Sequence, residues 1–391
     1  MDWDKNWSGD KGRHLGVVMQ NQRRHQKYRC QKARAAWEVV RRLSKLPAKG
    51  KRTILTQQLL PILTYGCELY QDASEQQRRL ANEMYRWAVR AYPGSRADKV
   101  QALVGLNDVG VIMHNKRIRW AASVYARHIP ELRQIAEPIL REIVGETALQ
   151  WMEGTKSEGC EVRIEDLSEE RVDEWSDGSR IDGRAAGATR KEGIYLGEWA
   201  TVTDAEEAGV MRAWEAGMRV VALDSQGALQ RIANLRYERP RSWIEERLVQ
   251  LMRREPRTLM WVRGHQGVQG NEEADRKAKR TVRAGRKTPG VATPQGIKQE
   301  FPVYPRAPAH FGWTANALRG LVYMVTDKGP QQQWLWEIGK VDTPWCACDG
   351  WTPQNAAHLL GCPWVGDGKG RSFEMIWEDE EWCGAVAGFI M

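Results

Sequence analysis

The hydrophobic positions in the first part of the chain recur with the period of an α-helix. Leu80, Met84 and Ala88 follow one another at intervals of four residues, which places them on one helical face, and a Pro-Gly pair soon afterwards stops the helix. Similar stripes recur up to about residue 150. They predict a helical region over residues 51–150, with the apolar stripes forming its core.

A different pattern begins near residue 171, where short apolar runs alternate with turn signals and helical stretches. The predicted strands are Asp173–Ser179, Ala186–Arg190, Ile194–Ala200, Val220–Leu223 and Thr258–Val262. One helix is expected to start near Asp204, whose side chain can cap it, and to run to Gly217. Further helices follow, the last from about Gly270. This order of strands and helices predicts an α/β domain.

Shifts in composition divide the remainder of the chain. Residues 154–170 are polar and charged, which is typical of a linker, and five prolines between 289 and 308 mark an extended segment. The predicted segments are a basic lead (1–50), a helical region (51–150), a linker (151–170), the α/β domain (171–286), a Pro-rich linker (287–312) and a helical tail (313–391).

The overall composition is that of a globular protein. The 391 residues are 42% hydrophobic and 28% charged, and the length suffices for two or three domains. No apolar run approaches the roughly 20 residues that a spanning helix needs, and the N-terminus is polar and charged. We therefore expect no membrane partner and an intracellular protein, nuclear or cytoplasmic and not secreted. Seven sparse cysteines favour thiols or a metal site over a disulfide framework.

Positive charge is concentrated in two places. The net charge is +9, and residues 1–50 alone hold 13 Lys and Arg against four Asp and Glu. A second basic run follows Asp275. Such clusters attract phosphate backbones through counterion release, although a solvated helix face or a solubilising tail has the same composition. Nucleic acid is the partner that the two runs together favour.

Four acidic residues that are far apart in the sequence suggest a shared metal site. They are Asp177 on the first predicted strand, Glu206 in the first turn of a helix, Asp224 at the end of the fourth strand and Asp275 in the last helix. Hydrolysis of a phosphodiester needs an activated water and stabilised charge on the leaving oxygen, which two divalent ions about 3.5–4 Å apart provide. Mg²⁺ (or Mn²⁺) requires several hard anionic ligands of this kind.

The neighbours of these acids resemble the motifs of type 1 ribonuclease H, as found free-standing and in retroelement polyproteins. The similar segments are Asp177-Gly-Ser, Asp204-Ala-Glu206, Asp224-Ser-Gln, Trp261-Val-Arg-Gly-His265 and Gly270-Asn-Glu-Glu-Ala-Asp275. The resemblance spans about residues 171–284. It implies a ribonuclease H-like five-stranded mixed sheet flanked by helices, two bound Mg²⁺ or Mn²⁺ ions, and cleavage of the RNA strand of an RNA–DNA hybrid.

The same resemblance implies roles for individual residues. The residues that would bind the metals are Asp177, Glu206, Asp224 and Asp275. His265 would assist proton transfer or product release. These five residues are the predicted catalytic set.

One position departs from the family pattern. An apolar residue usually follows the helix glutamate, but this chain has Glu207 there, so either glutamate could face the metals, and the preceding Ala205 favours Glu206. Three further polar residues are candidate contacts to the groove of the nucleic acid, with turn and cap hydrogen bonds as the alternative. They are Ser179, Gln226 and Asn271.

The flanking region before the α/β domain resembles a second retroelement segment. Leu60-Pro-Ile-Leu-Thr-Tyr65-Gly-Cys and Gly105-Leu-Asn-Asp-Val-Gly-Val-Ile are similar to the helical segment after the polymerase palm in LINE-like (non-LTR) retrotransposon reverse transcriptases. The resemblance covers about residues 1–150. It implies a thumb-like remnant, and no Tyr-x-Asp-Asp polymerase motif occurs in the chain.

A Cys/His motif lies near the C-terminus. Its members are Cys346, Cys348, His358 and Cys362, spaced C-x-C-x9-H-x3-C. Thiolates with an imidazole suit tetrahedral Zn²⁺, and the motif resembles the terminal Cys/His motif of the same retroelements. Free cysteines with a surface histidine are the alternative.

The sequence thus predicts an Mg²⁺-dependent ribonuclease H in a retrotransposon-derived protein without a polymerase core. Two alternatives remain. One is a catalytically inactive remnant that binds nucleic acid. The other is an unrelated integrase- or nuclease-like member of the same fold class, which the histidine-containing loop and the terminal Asp275 disfavour.

Overall fold

A computed structural model describes residues 13–14, 17–18, 22–43, 45–70, 72–127, 130–145, 147–151, 160–264, 266–285, 290–366 and 369–390. The chain divides into two units. The first unit comprises Met1–Asn115 together with Val303–Met391, and the second unit comprises Lys116–Pro302.

The helices and strands follow in chain order. The helices are α1 (Gln22–Val40), α2 (Ala48–Ile54), α3 (Leu60–Thr64), α4 (Glu75–Val89), α5 (Ala97–Val104), α6 (Val109–Arg127), α7 (Pro130–Val144), α8 (Val202–Glu215), α9 (Gln226–Asn234), α10 (Trp243–Arg254), α11 (Gln269–Ala284), α12 (Pro294–Glu300), α13 (Ala315–Thr326), α14 (Gln332–Glu337), α15 (Ala356–Leu359) and α16 (Glu380–Ile390). The strands are β1 (Arg13–His14), β2 (Val17–Val18), β3 (Val162–Asp166), β4 (Glu174–Ile181), β5 (Arg184–Thr189), β6 (Gly193–Gly197), β7 (Val220–Leu223) and β8 (Arg257–Trp261).

The second unit is built on a mixed sheet with the strand order β3-β8-β7-β4-β5-β6. Strands β3, β8, β7 and β4 are parallel to their neighbours, while β4, β5 and β6 form an antiparallel meander. The apolar run of β7 lies inside the sheet, as expected for a parallel strand that is covered on both faces. The predicted ribonuclease H-like α/β fold, with a mixed sheet and flanking helices, is confirmed.

The sheet has six strands rather than the five predicted. The additional strand, β3, comes from the segment predicted as the linker 151–170. Only its first residue, Val162, is buried, and its two apolar residues alternate with charged ones over too short a stretch to stand out in a polar segment. Main-chain pairing in register with β8 holds β3 at the sheet edge.

The predicted Pro-rich linker 287–312 also contains regular structure, the helix α12. Thr293 is its N-cap and accepts a hydrogen bond from Gly296 N at 3.0 Å, and Pro294 occupies the first helical position. A proline fits there because its nitrogen has no hydrogen to leave unpaired. One proline of the segment therefore starts a helix.

Helix α8 begins two residues before its predicted start at Asp204. The N-cap is Thr201, whose Oγ1 accepts from Asp204 N at 3.1 Å, and the Asp204 carboxylate accepts from Thr201 N at 2.8 Å. Asp204 thus completes a capping box from the third helical position. Thr293 Oγ1 also donates to Asp204 at 2.8 Å, which ties the start of α8 to the start of α12.

Glycines allow α8 to lie directly on the sheet. A Cβ atom on Gly178 of β4 would collide with the backbone nitrogen of Glu206, and one on Gly187 of β5 would collide with the carbonyl oxygen of Ala205. On the helix side, a Cβ on Gly209 would lie 3.0 Å from a β5 carbonyl. This close approach fixes the height of the first turn of α8 above β4.

We predict that Gly178→Ala destabilises the protein by about 2–3 kcal/mol, because the collision is with backbone and cannot be relieved by a rotamer change. The measurement is urea unfolding. Gly227→Ala in α9 is the control, since nothing lies closer than 4.0 Å to its added Cβ, and it should be neutral or slightly stabilising. Equal effects of the two substitutions would show that α8 can move away from the sheet.

The first unit is a helical assembly with one core. Residues from both ends of the chain contribute to it, including Leu63 and Met84 from the N-terminal helices and Leu321 and Val386 from the C-terminal ones. Helices α13 and α16 pack closely, because a Cβ on Gly320 would collide with the carbonyl oxygen of Cys383. None of the helices that the structure describes is long and apolar enough to span a bilayer.

Candidate functional site

The first residue of the candidate active site along the chain is Asp177, which lies in the middle of β4. This strand lies between β5 and β7, so Asp177 stands near the centre of the sheet and is 6% exposed. Its Oδ1 accepts a hydrogen bond from the backbone N–H of Gly178 at 2.6 Å. The glycine that allows α8 to approach therefore also holds this carboxylate.

The two adjacent glutamates of α8 point in different directions and have different neighbours. Glu206 points to Asp177 and Asp224, with ligand oxygens of the three side chains all within 4.8 Å of one another. Glu207 is fully buried elsewhere, and its Oε1 lies 3.0 Å from Nε of Arg231 on α9. Of the two glutamates, Glu206 therefore lies beside Asp177 and Asp224.

Asp224 follows directly after β7, where the chain turns into α9. Ser225 caps α9 by accepting from Ala228 N at 3.3 Å, so Asp224 directly precedes the N-cap of this helix. Asn271 of α11 donates from Nδ2 to Asp224 Oδ2 at 3.1 Å. A Cβ on Gly264 would lie 2.7 Å from the same oxygen, so the loop before α11 passes very close to it.

Burial and neighbouring negative charge both act on the carboxylates of Asp177 and Glu206. Burial, and then the charge of Asp224, raise the pKa of Asp177 to about 7. Burial, followed by the charges of Asp177 and Asp224, raises the pKa of Glu206 well above its ordinary value. Close like charges disfavour simultaneous ionisation unless a cation lies between them.

The fourth predicted acid, Asp275, lies at the margin of this group. Its oxygens do not fall within the 4.8 Å set, and its Oδ2 accepts from Lys279 Nζ at 2.7 Å one helical turn away. Its charge still contributes to the raised pKa values of Asp177 and Glu206. Asp275 and Lys279 are four residues apart in the sequence, a spacing that is typical of an ion pair on one helical face.

The remaining predicted site residues are less central. His265 lies outside the described residues. Ser179 is buried on β4, and Gln226 is exposed at the first position of α9. Asn271, predicted as a possible groove contact, is 4% exposed, and its Nδ2 donates to Asp224. The role of Gly264 beside Asp224 was missed, because a glycine in a loop gives no indication of what it passes.

The three clustered side chains fit a divalent metal. Their donor atoms are hard carboxylate oxygens, the type that Mg²⁺ and Mn²⁺ prefer. Glu206 Oε2 is buried and has no hydrogen-bond partner among the described residues. A buried carboxylate oxygen without a donor is costly, and a bound cation would satisfy it while offsetting the repulsion.

We predict that the metal-free protein loses stability as pH rises from about 4 to about 7. Asp177 has a raised pKa in the folded state, so folding favours its protonated form, and that contribution disappears once pH exceeds about 7. Its upper limit is on the order of 4 kcal/mol. The measurement is the unfolding free energy of wild type and Asp177→Asn against pH in chelator. Parallel curves would contradict the prediction, because the difference should grow with pH.

Glu207 belongs to a separate buried network around Arg231. The guanidinium lies 2.6 Å from Glu245 Oε1 as well as 3.0 Å from Glu207 and 3.9 Å from Asp204. Burial, and then the charge of Glu245, raise the pKa of Glu207 well above its ordinary value. This network anchors α8 to α9 and α10 on the side that faces away from Asp177 and Asp224.

The first unit contains a second cluster of metal-ligand type, formed by the predicted Cys/His motif. Its members are Cys346, Cys348, His358 and Cys362, and their ligand atoms all lie within 4.8 Å of one another. Cys348 Sγ lies 3.2 Å from His358 Nε2, and the Sγ atoms of Cys346 and Cys362 are 3.9 Å apart. Burial and hydrogen bonds from neighbouring thiols raise the pKa of Cys348 to about 12.

A tight turn contains the first two cysteines of the motif. Gly350, with φ of 77°, donates its N–H to the carbonyl of Cys346 at 2.9 Å, a backbone conformation that glycine adopts without strain. The Asp349 carboxylate accepts from Thr352 N at 3.0 Å and closes the loop. Asn355 then caps the short helix that carries His358, accepting from His358 N at 2.9 Å.

Comparison with known proteins supports the assignment of one part of this structure. The RNase H family model matches residues 220–283, from β7 almost to the end of α11. That stretch includes Asp224 and Asp275, while Asp177 and Glu206 precede it. No curated protein matches the chain. The family match and the fold together support a ribonuclease H domain in the second unit.

Proposed function

We propose that the second unit hydrolyses the RNA strand of RNA–DNA hybrids with two Mg²⁺ or Mn²⁺ ions. The observation that carries the proposal is the meeting of Asp177, Glu206 and Asp224 from three separate elements. A structural role would not favour two buried acids, Asp177 and Glu206, whose pKa values are raised by burial and by the charge of the neighbouring Asp224. The family match over β7 to α11 gives the reaction class.

The roles of the residues follow from their positions. Asp177, Glu206 and Asp224 would hold the ions, with Asp275 joining from the margin. When bound, the ions supply an activated water and stabilise charge on the leaving oxygen. Asn271 keeps the Asp224 carboxylate in place by its hydrogen bond. The glycine contact between β4 and α8 keeps Glu206 at a fixed height above Asp177.

The hybrid would approach along the exposed side of α11, which carries basic residues after the acidic site. Arg276, Arg280 and Arg283 are exposed on this helix and can contact phosphates. Discrimination between RNA and DNA would rest on the 2′-hydroxyl beside the cleaved bond. Gln226, exposed next to Asp224, is the polar side chain best placed to contribute.

The test is a cleavage assay of the purified chain with Mg²⁺ and a labelled RNA–DNA hybrid, beside single-stranded RNA and duplex DNA of the same sequence. We expect cleavage of the hybrid RNA only, leaving 5′-phosphate and 3′-hydroxyl ends. Glu206→Gln should remove the activity. Glu207→Gln is the matched control and should retain it, because burial already favours the neutral form of Glu207.

Two outcomes would contradict the proposal. Hybrid binding without turnover in the wild type would favour the alternative, an inactive remnant that binds nucleic acid. Equal loss of activity in the two glutamine variants would show that the position of Glu206 beside Asp177 has no special importance.

A second proposal concerns the Cys/His cluster, which we assign to a structural Zn²⁺ ion. Three thiols and one imidazole are the ligand set of a closed tetrahedral zinc site. Two of the thiols, on Cys346 and Cys362, are buried in the core of the first unit. Metal binding there would therefore stabilise the whole unit and not an isolated loop.

The retroelement setting is proposed on the sequence resemblances. The predicted division into a thumb-like region, a ribonuclease H domain and a Cys/His tail places the protein among derivatives of LINE-like retrotransposons. A cleavage activity confined to hybrids would support this setting, because hybrids are the intermediates of reverse transcription.

A further inference from the structure

The first unit contains a basic cavity of about 500 Å³ beside the C-terminal end of α4. Five cationic side chains line it: Arg41, Lys45, Lys51, Arg86 and Arg90. Trp87 and Ala91 complete the lining. No acidic side chain lines the cavity among the residues that the structure describes, so its potential is strongly positive and suits an anion.

Lys51 shows that this charge is not balanced locally. The residue is 2% exposed, and its ammonium donates to the carbonyl oxygen of Trp87 at 3.3 Å and lies 5.1 Å from the Trp87 ring. Burial, and then the charge of Arg90, lower its pKa to about 8. Carbonyl and ring dipoles carry no net charge, so a buried ammonium in this setting gains from a neighbouring anion.

Other cations of the cavity have only partial compensation. Arg86 donates to the carbonyl oxygen of Ser95 at 2.9 Å, which is again a neutral acceptor. Arg41, directly after α1, forms an ion pair with Glu38 of that helix at 2.5 Å. No carboxylate is among the described residues that line the cavity, so its lining carries an excess of positive charge.

The backbone conformation of Arg90 also indicates that its side chain has a function in the basic cavity. Arg90 ends α4 with φ of 58° and ψ of 33°, a left-handed conformation that favours glycine at this helix position. Among the described residues, the other non-glycine residues with positive φ are Asp182 and Asp327, and aspartate tolerates this region better than arginine does. An arginine kept in a strained conformation points to a use for its guanidinium.

An apolar cavity of about 380 Å³ adjoins the basic one, and Arg90 and Ala91 line both. Aromatic rings contribute much of its wall, from Tyr92, Trp313 and Tyr323. The tyrosine rings are braced by packing, with their centroids 6.3 Å apart. A cationic cavity joined to an aromatic one is complementary to a ligand in which a phosphate lies beside a base.

We propose that these adjoining cavities bind a single-stranded nucleic acid, with backbone phosphate in the basic cavity and an unpaired base in the aromatic one. Stacking on aromatic rings together with a positively charged groove is the general way in which single strands are held without sequence preference. An acidic protein segment would use the basic cavity but leave the aromatic one without a partner. The site does not depend on hydrolysis by the carboxylate cluster, which lies in the other unit.

The first test measures binding of a fluorescein-labelled single-stranded DNA by the full chain. Arg90→Gly should weaken binding about tenfold and reduce the salt dependence by roughly one phosphate contact, a change of about 0.7 in slope. Because glycine suits this backbone, the thermal stability should be unchanged or higher. Arg79→Gln is the control: it removes a cation from the same helix, 76% exposed and outside both cavities, and should change affinity less than twofold.

The second test separates base from phosphate. Ala315 is exposed at the edge of the aromatic cavity, so Ala315→Phe should fill it without removing core contacts and weaken binding about fivefold. An abasic strand of the same length should bind wild type and Ala315→Phe equally. Asn316→Phe, exposed but outside the lining, is the matched control.

Three results would overturn the proposal. Equal losses in Arg90→Gly and Arg79→Gln would mean that only overall charge matters and that the cations simply cap the end of α4. Equal losses in Ala315→Phe and Asn316→Phe, or no preference for strands with bases, would exclude the base site. Tighter binding of polyglutamate than of the oligonucleotide would assign the surface to an acidic protein instead.

Discussion

Asp224→Asn is expected to lower hydrolysis of the RNA–DNA hybrid by about 1000-fold or more while stabilising the protein in the absence of metal. The loss follows because an amide is a poor ligand for Mg²⁺ and one member of a three-carboxylate group disappears. The gain follows because the charge of Asp224 raises the pKa values of both Asp177 and Glu206. A substitution that removes activity and raises stability marks a functional site.

The measurement pairs the cleavage assay with thermal unfolding in chelator and in Mg²⁺. Added Mg²⁺ should raise the unfolding temperature of the wild type, by mass action, and should do so much less in Asp224→Asn. Asn271 can still hydrogen-bond to an asparagine at position 224, so the change is nearly isosteric. Any loss of activity can then be attributed to the missing charge.

Asp182→Asn is the control for removal of one negative charge. Asp182 is exposed in the turn between β4 and β5 with φ of 48°, a conformation that asparagine also tolerates. Its activity and its response to Mg²⁺ should match the wild type. The site assignment fails if Asp224→Asn retains hydrolysis within tenfold of the wild type, or if it destabilises the metal-free protein.

The sequence predicted the sheet strands with marked apolar runs and predicted their order with the helices. It could do so because β7 and β8 are short buried runs bounded by turns, and because the motif around Asp224 lies where a strand ends. The edge strand β3 was not predictable in this way, since its stability comes from main-chain pairing with β8 and not from its own side chains.

The parts of the site that were missed depend on contacts across long sequence distances. The contact between Asn271 and Asp224 joins residues 47 positions apart, and nothing local to either residue encodes it. The ion pair between Glu207 and Arg231 likewise joins residues far apart in the sequence, so the sequence left open which of the two adjacent glutamates lies beside Asp177. Hydrophobic periodicity shows that a helix has an apolar face, but it does not show which other helix covers that face. The core that the N-terminal and C-terminal helices share could therefore not be predicted from it.

Cys346→Ser is expected to remove bound zinc and to lower the stability of the first unit by about 5 kcal/mol or more, since structural zinc contributes directly to folding. The cysteine is fully buried in the same core as α13 and α16, so loss of the ion would leave polar groups inside that core. Without a cation, burial and the neighbouring thiols raise the pKa of Cys348 to about 12, so this thiol remains protonated. Zn²⁺ binding would release its proton, which makes the stabilisation larger at higher pH.

Cys383→Ser is the matched control, because Cys383 is equally buried in the first unit but donates from Sγ to the carbonyl oxygen of Ile376 at 3.4 Å, away from the cluster. It should cost about 1–3 kcal/mol, the usual range for a buried polar change, and leave one zinc per chain by elemental analysis. A zinc chelator should bring the wild type to the stability of Cys346→Ser and have no further effect on that variant. Equal losses from the two serine substitutions, with no zinc in the wild type, would show instead that the four side chains are free thiols and an imidazole that merely pack together.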